Sequence, residues 1–117
     1  MRFAVVRYTF EGWHCWPEAP DSRAYLRDQH RHLFHAEVQL ETFHNDREVE
    51  FHDLLDFAKA SFPNGETQFG RMSCEDMCQQ LIDPLSEQYP NRQMIVSVFE
   101  DGEVGATVTF DVVEWEA

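Results

Sequence analysis

Basic residues are scarce in this chain: nine Lys and Arg stand against 22 Asp and Glu, a formal net charge of −13. A surface that acidic repels phosphate backbones and anionic headgroups, which excludes sequence-independent nucleic-acid binding and attachment to an acidic membrane. Long apolar runs are missing too. No stretch approaches the roughly 18 residues of a membrane span, and the opening Met1-Arg2-Phe3 lacks the pattern of a signal peptide. The expectation is a soluble, cytoplasmic protein. Cysteine is limited to Cys15, Cys74 and Cys78 with no C-x-x-C pair, so neither a disulfide framework nor a zinc ribbon is written here. Cys74 and Cys78, four apart on a predicted helix, read as small buried core residues. Repeats, low-complexity tracts and linkers are absent, and 117 residues make a single domain, 1–117. Against these absences, 43% hydrophobic content and ten phenylalanines supply a real core.

Periodicity orders that core into strands and helices. Residues 3–10 (FAVVRYTF) are rich in β formers and end at Glu11-Gly12, and a loop holding Pro17 and Pro20 runs from Trp13 to Asp28. Residues 30–43 show a clear period-2 alternation. His32, Phe34, Ala36, Val38 and Leu40 point to one face, and the mostly polar series from Arg31 to Glu41 points to the other. Asn45-Asp46 closes that strand. Phe51, Leu54, Leu55, Ala58 and Phe62 then recur at helical spacing until Pro63-Asn64-Gly65 stops them. A second helix opens on Ser73-Cys74-Glu75-Asp76, a variant capping box. Its stripe runs through Met77 or Cys78, Leu81 and Leu85 to Tyr89-Pro90, and Pro84 is expected to kink it or end its first half. Residues 94–100, an Asp101-Gly102 turn and residues 104–115 read as a closing hairpin. The order β-β-α-α-β-β predicts an α+β fold: an antiparallel four-stranded sheet with both helices packed on one face.

Histidine is where the chain stops being generic. His30-x-His32 opens the long strand, and residues two apart on a strand project from one face about 6.6 Å apart. That spacing lets two imidazoles converge on one ion with Zn–N bonds of about 2.0–2.1 Å. His14 shares the register of Val6, Tyr8, Phe10 and Gly12, so pairing of the first two strands brings it in as a third ligand. Three ligands leave the fourth position that catalytic zinc needs. H-x-H alone is a weak motif, because two solvated histidines explain it equally well. His35, His44 and His52 read as exposed polar-face residues.

The order of these signals resembles the 6-pyruvoyl-tetrahydropterin synthase and 6-carboxy-tetrahydropterin synthase family of T-folds. Phe10-Glu11-Gly12-Trp13-His14 is similar to that family's aromatic strand ending in a His, and Gln29-His30-Arg31-His32 to its H-x-H. Val49-Glu50-Phe51-His52-Asp53-Leu54 looks like the lead into its first helix, and Met72-Ser73-Cys74-Glu75 like the start of its second. Ser97-Val98-Phe99-Glu100 stands where the family's third strand ends in a Glu. The resemblance covers roughly residues 3–110. It implies a T-fold, zinc held by His14, His30 and His32, and a dihydropterin or guanine-derived substrate. Glu100 would hold the ring, since a carboxylate accepts two N–H bonds from an amino-pyrimidinone edge. Glu75 would be a second substrate contact, although a carboxylate in a first helical turn is also favoured by the helix dipole alone. The resemblance further implies a homo-oligomer, tetramer or hexamer, closed through exposed sheet edges with sites at subunit interfaces.

Two elements of the family pattern are missing. Its catalytic Cys, four residues before the first His of H-x-H, is Leu26 here, and its Asp-His pair after the first helix has no counterpart between Pro63 and Met72. Arg31 replaces the central Gly but faces away from the metal. Cys15, Asp28, Glu11, His35 and His52 are the substitutes available as a base, with Cys15 expected on the opposite strand face. Trp13, Trp16 and Tyr25 are positioned to stack on a flat heterocycle, or to cover a small core or a subunit contact. The expected function is a zinc-dependent pterin synthase or lyase. The competing readings are a non-catalytic protein binding a pterin or purine, and an oligomeric scaffold.

Overall fold

Two strands of 13 residues form the centre of the computed structural model, which describes residues 1–112. β1 (Arg2–His14) pairs antiparallel with β2 (His30–Thr42) along its whole length, from Arg2 opposite Thr42 to His14 opposite His30. The alternation read from the sequence is the alternation of burial. Ala4, Val6, Tyr8 and Phe10 of β1 and Phe34, Ala36, Val38 and Leu40 of β2 are buried on one common face. β1 runs four residues past its expected end because Gly12 is a packing position. The Phe69 ring lies over it, and a Cβ there would stand 2.1 Å from Phe69 Cε2.

Phe69 belongs to an element that the sequence does not announce. β3 (Gln68–Gly70) is three residues long and pairs parallel with Trp13 and His14 at the end of β1. β4 (Met94–Glu100) pairs antiparallel with β2, and β5 (Val104–Phe110) with β4. The sheet order is β3-β1-β2-β4-β5, so the expected four antiparallel strands are joined by a short parallel strand at one edge. Asp101 (φ 54°) and Gly102 (φ 72°) turn β4 into β5 in the left-handed region that Asp and Gly tolerate. β5 stops at Phe110, short of the expected strand end, and residues 113–115 of that expectation lie outside the described residues.

Both helices cover the apolar face, giving the α+β layering expected. α1 (Phe51–Ser61) buries Leu54 and Ala58, while Phe51, expected on its apolar stripe, is exposed. α2 (Cys74–Gln88) buries Cys74, Met77, Cys78, Leu81, Ile82 and Leu85. Its capping box is reciprocal: Ser73 Oγ accepts from Asp76 N at 3.1 Å, and the Asp76 carboxylate accepts from Ser73 N at 3.2 Å. Pro84 neither ends nor divides this helix, which continues to Gln88. The buried stripe holds the turns on both sides of Pro84 to the sheet, and that packing offsets one missing N–H. The opposite face of the sheet carries ion pairs such as Arg7–Glu37 at 2.6 Å and Arg31–Glu11 at 3.0 Å, beside exposed Val5, Trp13 and Leu33. Among the described residues, no helix is long and apolar enough to cross a membrane.

Candidate metal centre

The apolar face changes character at one end of the sheet. Strand pairing puts His14, the last residue of β1, directly opposite His30, the first of β2, with His32 one same-face position further on. Glu100, the last residue of β4, is registered against Phe34 of β2. The imidazole centroids lie 4.6 Å apart for His14–His30, 4.9 Å for His30–His32 and 5.2 Å for His14–His32. One potential ligand atom from each His and one Glu100 carboxylate oxygen all fall within 4.8 Å of one another. Phe34 forms an apolar floor, with its ring edge-on to His14 and His32 at 5.3 and 5.6 Å.

Each ring is oriented through its Nδ1. That atom faces the Met72 carbonyl in His14 and the Asp28 carbonyl in His30, both at 2.9 Å, and the Asp101 carboxylate in His32 at 2.7 Å. All three partners only accept, so each places a proton on Nδ1, and Nε2 of a neutral ring is then a lone pair. The Nε2 atoms of His14 and His32 are buried without a hydrogen-bond partner. Glu100 Oε2 approaches them at 3.6 and 2.7 Å, the first too long for a hydrogen bond and the second without the direction of one. In neutral rings these are buried acceptors turned toward one another, and three imidazoles with a carboxylate are a donor set that could hold a metal ion. The residues therefore fit a divalent metal.

The electrostatics tie the same groups to one another. Burial works against a charged His14, yet Glu100 and the Met72 carbonyl hold its pKa above the ordinary imidazole value. The His14 ring in turn holds the Glu100 carboxyl below the usual carboxylate range against its own burial, helped by the charges of His32 and His30. His32 does the same for Asp101, together with the Leu33 N–H that donates to Asp101 Oδ1 at 2.9 Å. Beside the cluster opens a cleft of about 410 Å³, lined by His14, His30 and Glu100 with Trp16, Leu26, Ser73 and Glu75 among others. Cys74 also faces it, but burial pushes that thiol up to about 12, too high to supply a thiolate at neutral pH.

The three histidines expected as ligands are thus brought together, and Glu100, expected as a ring anchor, joins them. Glu75 is exposed on the first turn of α2 and lines the cleft outside the cluster. Cys15 corrects the sequence reading. It follows the end of β1, where strand alternation no longer applies, and it faces the cleft. Of the three aromatics proposed to stack, Trp16 lines the cleft, Trp13 takes the opposite strand face and Tyr25 is largely exposed. Glu11 is occupied by Arg31 on that opposite face and His52 by Glu50, and His44 is exposed. No protein-family model matches the chain, and no curated protein matches it. Sequence reasoning missed Asp101, which it took only as a turn residue, although its place directly after Glu100 was the available signal. The carbonyls of Met72 and Asp28 had no signal, since any residue supplies one.

Proposed function

We propose that this chain is a zinc-binding T-fold protein of the 6-pyruvoyl/6-carboxy-tetrahydropterin synthase type. Its cleft takes a dihydropterin or another guanine-derived heterocycle beside the metal. The observation that carries this reading is the pair of buried, unpartnered Nε2 atoms of His14 and His32, in rings whose Nδ1 atoms are already committed. His14, His30 and His32 hold the ion. When bound, zinc supplies a Lewis acid that polarises an oxygen of the ligand. Trp16 offers a stacking face, and Ser73 and Glu75 offer polar contacts at the cleft wall. The edge strands β3 and β5 support assembly of several copies through sheet edges.

A synthase or lyase needs groups that move protons at the ligand. Leu26 lines the cleft where the resemblance expects a cysteine, and the Cys74 thiol stays protonated. These observations favour a second reading, a T-fold protein that binds the heterocycle without turning it over. The deciding experiment begins with elemental analysis of protein purified in metal-free buffer, beside a His30→Ala/His32→Ala variant. The expected result is about one zinc per chain, lost in a variant whose far-UV spectrum is unchanged. Zinc absent from the wild-type protein after zinc is supplied overturns the metal reading. Turnover of dihydroneopterin triphosphate separates enzyme from binder, and a thermal shift with pterins or guanine separates binder from scaffold.

A further inference from the structure

The geometry points to Glu100 as the fourth ligand of the metal, which makes the resting centre a closed three-His, one-carboxylate site. This deepens the reading above and rests on its metal centre. A tetrahedral zinc with bonds of about 2.0–2.1 Å spaces its ligand atoms about 3.3 Å apart. Glu100 Oε2 lies 2.7 Å from His32 Nε2 and 3.6 Å from His14 Nε2, on either side of that spacing. It belongs to the four-residue set whose ligand atoms all fall within 4.8 Å of one another.

The backbone holds it there. Glu100 is paired with Phe34 on one side and with Val104 on the other, and the left-handed Asp101-Gly102 turn follows at once. Its side chain therefore shares the sheet face of His14 and His32. Charge adds a reason. Three neutral imidazoles leave both charges of a divalent ion uncompensated in a partly buried site, and one carboxylate halves that excess.

A carboxylate oxygen committed to the metal is not free for a two-oxygen contact to an amino-pyrimidinone edge. Ring anchoring and metal ligation by Glu100 are therefore alternatives. In the ligand-free protein it is a ligand, and the ion gains an exchangeable position only when Glu100 leaves.

The test uses Co(II) in place of zinc in the full chain, with Glu100→Gln and Glu100→Ala variants beside the wild type. The glutamine keeps the side chain's shape and so guards against a folding defect in the alanine variant. In the wild type, azide is expected to leave the visible cobalt bands unchanged. In both variants azide should shift the bands, and chelator competition should show metal binding weakened by more than the about 10- to 100-fold typical of losing an outer-shell partner. Wild-type bands that move with azide as they do in the variants, with equal metal affinities, would overturn the assignment while leaving the three-His centre standing. Failure of the wild type to bind cobalt or zinc at all would sink the metal reading itself, and this assignment with it.

Discussion

Two polar clusters sit at opposite ends of β2, and they are built on opposite principles. At the Thr42 end, Arg92 and Glu48 form a two-pronged pair with contacts of 2.8 and 3.1 Å. Arg92 also donates to the Glu41 carbonyl at 3.0 Å and lies over the Phe43 ring at 4.6 Å, while Glu48 accepts the Phe43 N–H at 2.7 Å. Donors there meet acceptors, and the cluster needs nothing from outside. At the His30 end, the Nε2 atoms of neutral rings face a carboxylate, acceptor against acceptor. Two buried Nε2 atoms have no hydrogen-bond partner, and the nearest group is a carboxylate. A cluster that completes itself ties a fold together, whereas one whose acceptors face one another is a place where a cation could complete the set.

If the two ends are separate devices, the core between them should be separable from both. Leu81 is fully buried on α2. Leu81→Ala is expected to cost about 2–5 kcal/mol in urea unfolding measured with chelator present. Zinc content of the folded variant should stay at the wild-type level. Loss of zinc at native protein concentration would mean that the centre depends on the whole core, and the separation would fail.

A smaller change sharpens the site end alone. The Asp101 carboxylate orients His32 and accepts the Leu33 N–H, and its backbone has a φ of 54° that Asn also tolerates. Asp101→Asn therefore keeps the turn and removes the charge behind the imidazole. Zinc affinity by chelator competition should fall about 10- to 100-fold, or about 1.4–2.7 kcal/mol. An unchanged affinity would reduce Asp101 to a turn residue.

That residue also marks the limit of what the sequence disclosed. Alternation from His32 to Leu40, the capping box at Ser73 and the Asp-Gly turn are local signals, and each appears where it was read. So does the convergence of His14, His30 and His32: alternation sets the face each occupies, and the pairing of β1 with β2 brings His14 opposite His30. What escaped depends on contacts between distant segments. β3 is too short for any period, and it exists because Phe69 packs over Gly12. Pro84 carried a local helix-breaking signal that burial of its neighbours outweighed. Placing Glu100 beside the three histidines required knowing that β4 lies beside β2. The carbonyls behind His14 and His30 belong to no side chain, and no composition reveals them.

The least effect is expected at the self-completing end, where it has a definite sign. Arg92, with the Phe43 N–H, holds the Glu48 carboxyl at about 2 against an ordinary value of 4.5. A folded-state pKa below the unfolded one means that the carboxylate stabilises the fold at pH values above the unfolded pKa. That contribution fades as pH falls through the interval from 4.5 to about 2. Glu48→Gln removes the titration but keeps much of the shape. The Tm difference between wild type and variant should be widest near neutral pH, small in size, and closed by the bottom of that interval. Measuring the difference cancels the titration of the other acidic groups. A gap that persists unchanged into strong acid would show that Glu48 acts through shape and neutral hydrogen bonds. The end of β2 that completes itself would then owe its completeness to packing and not to charge.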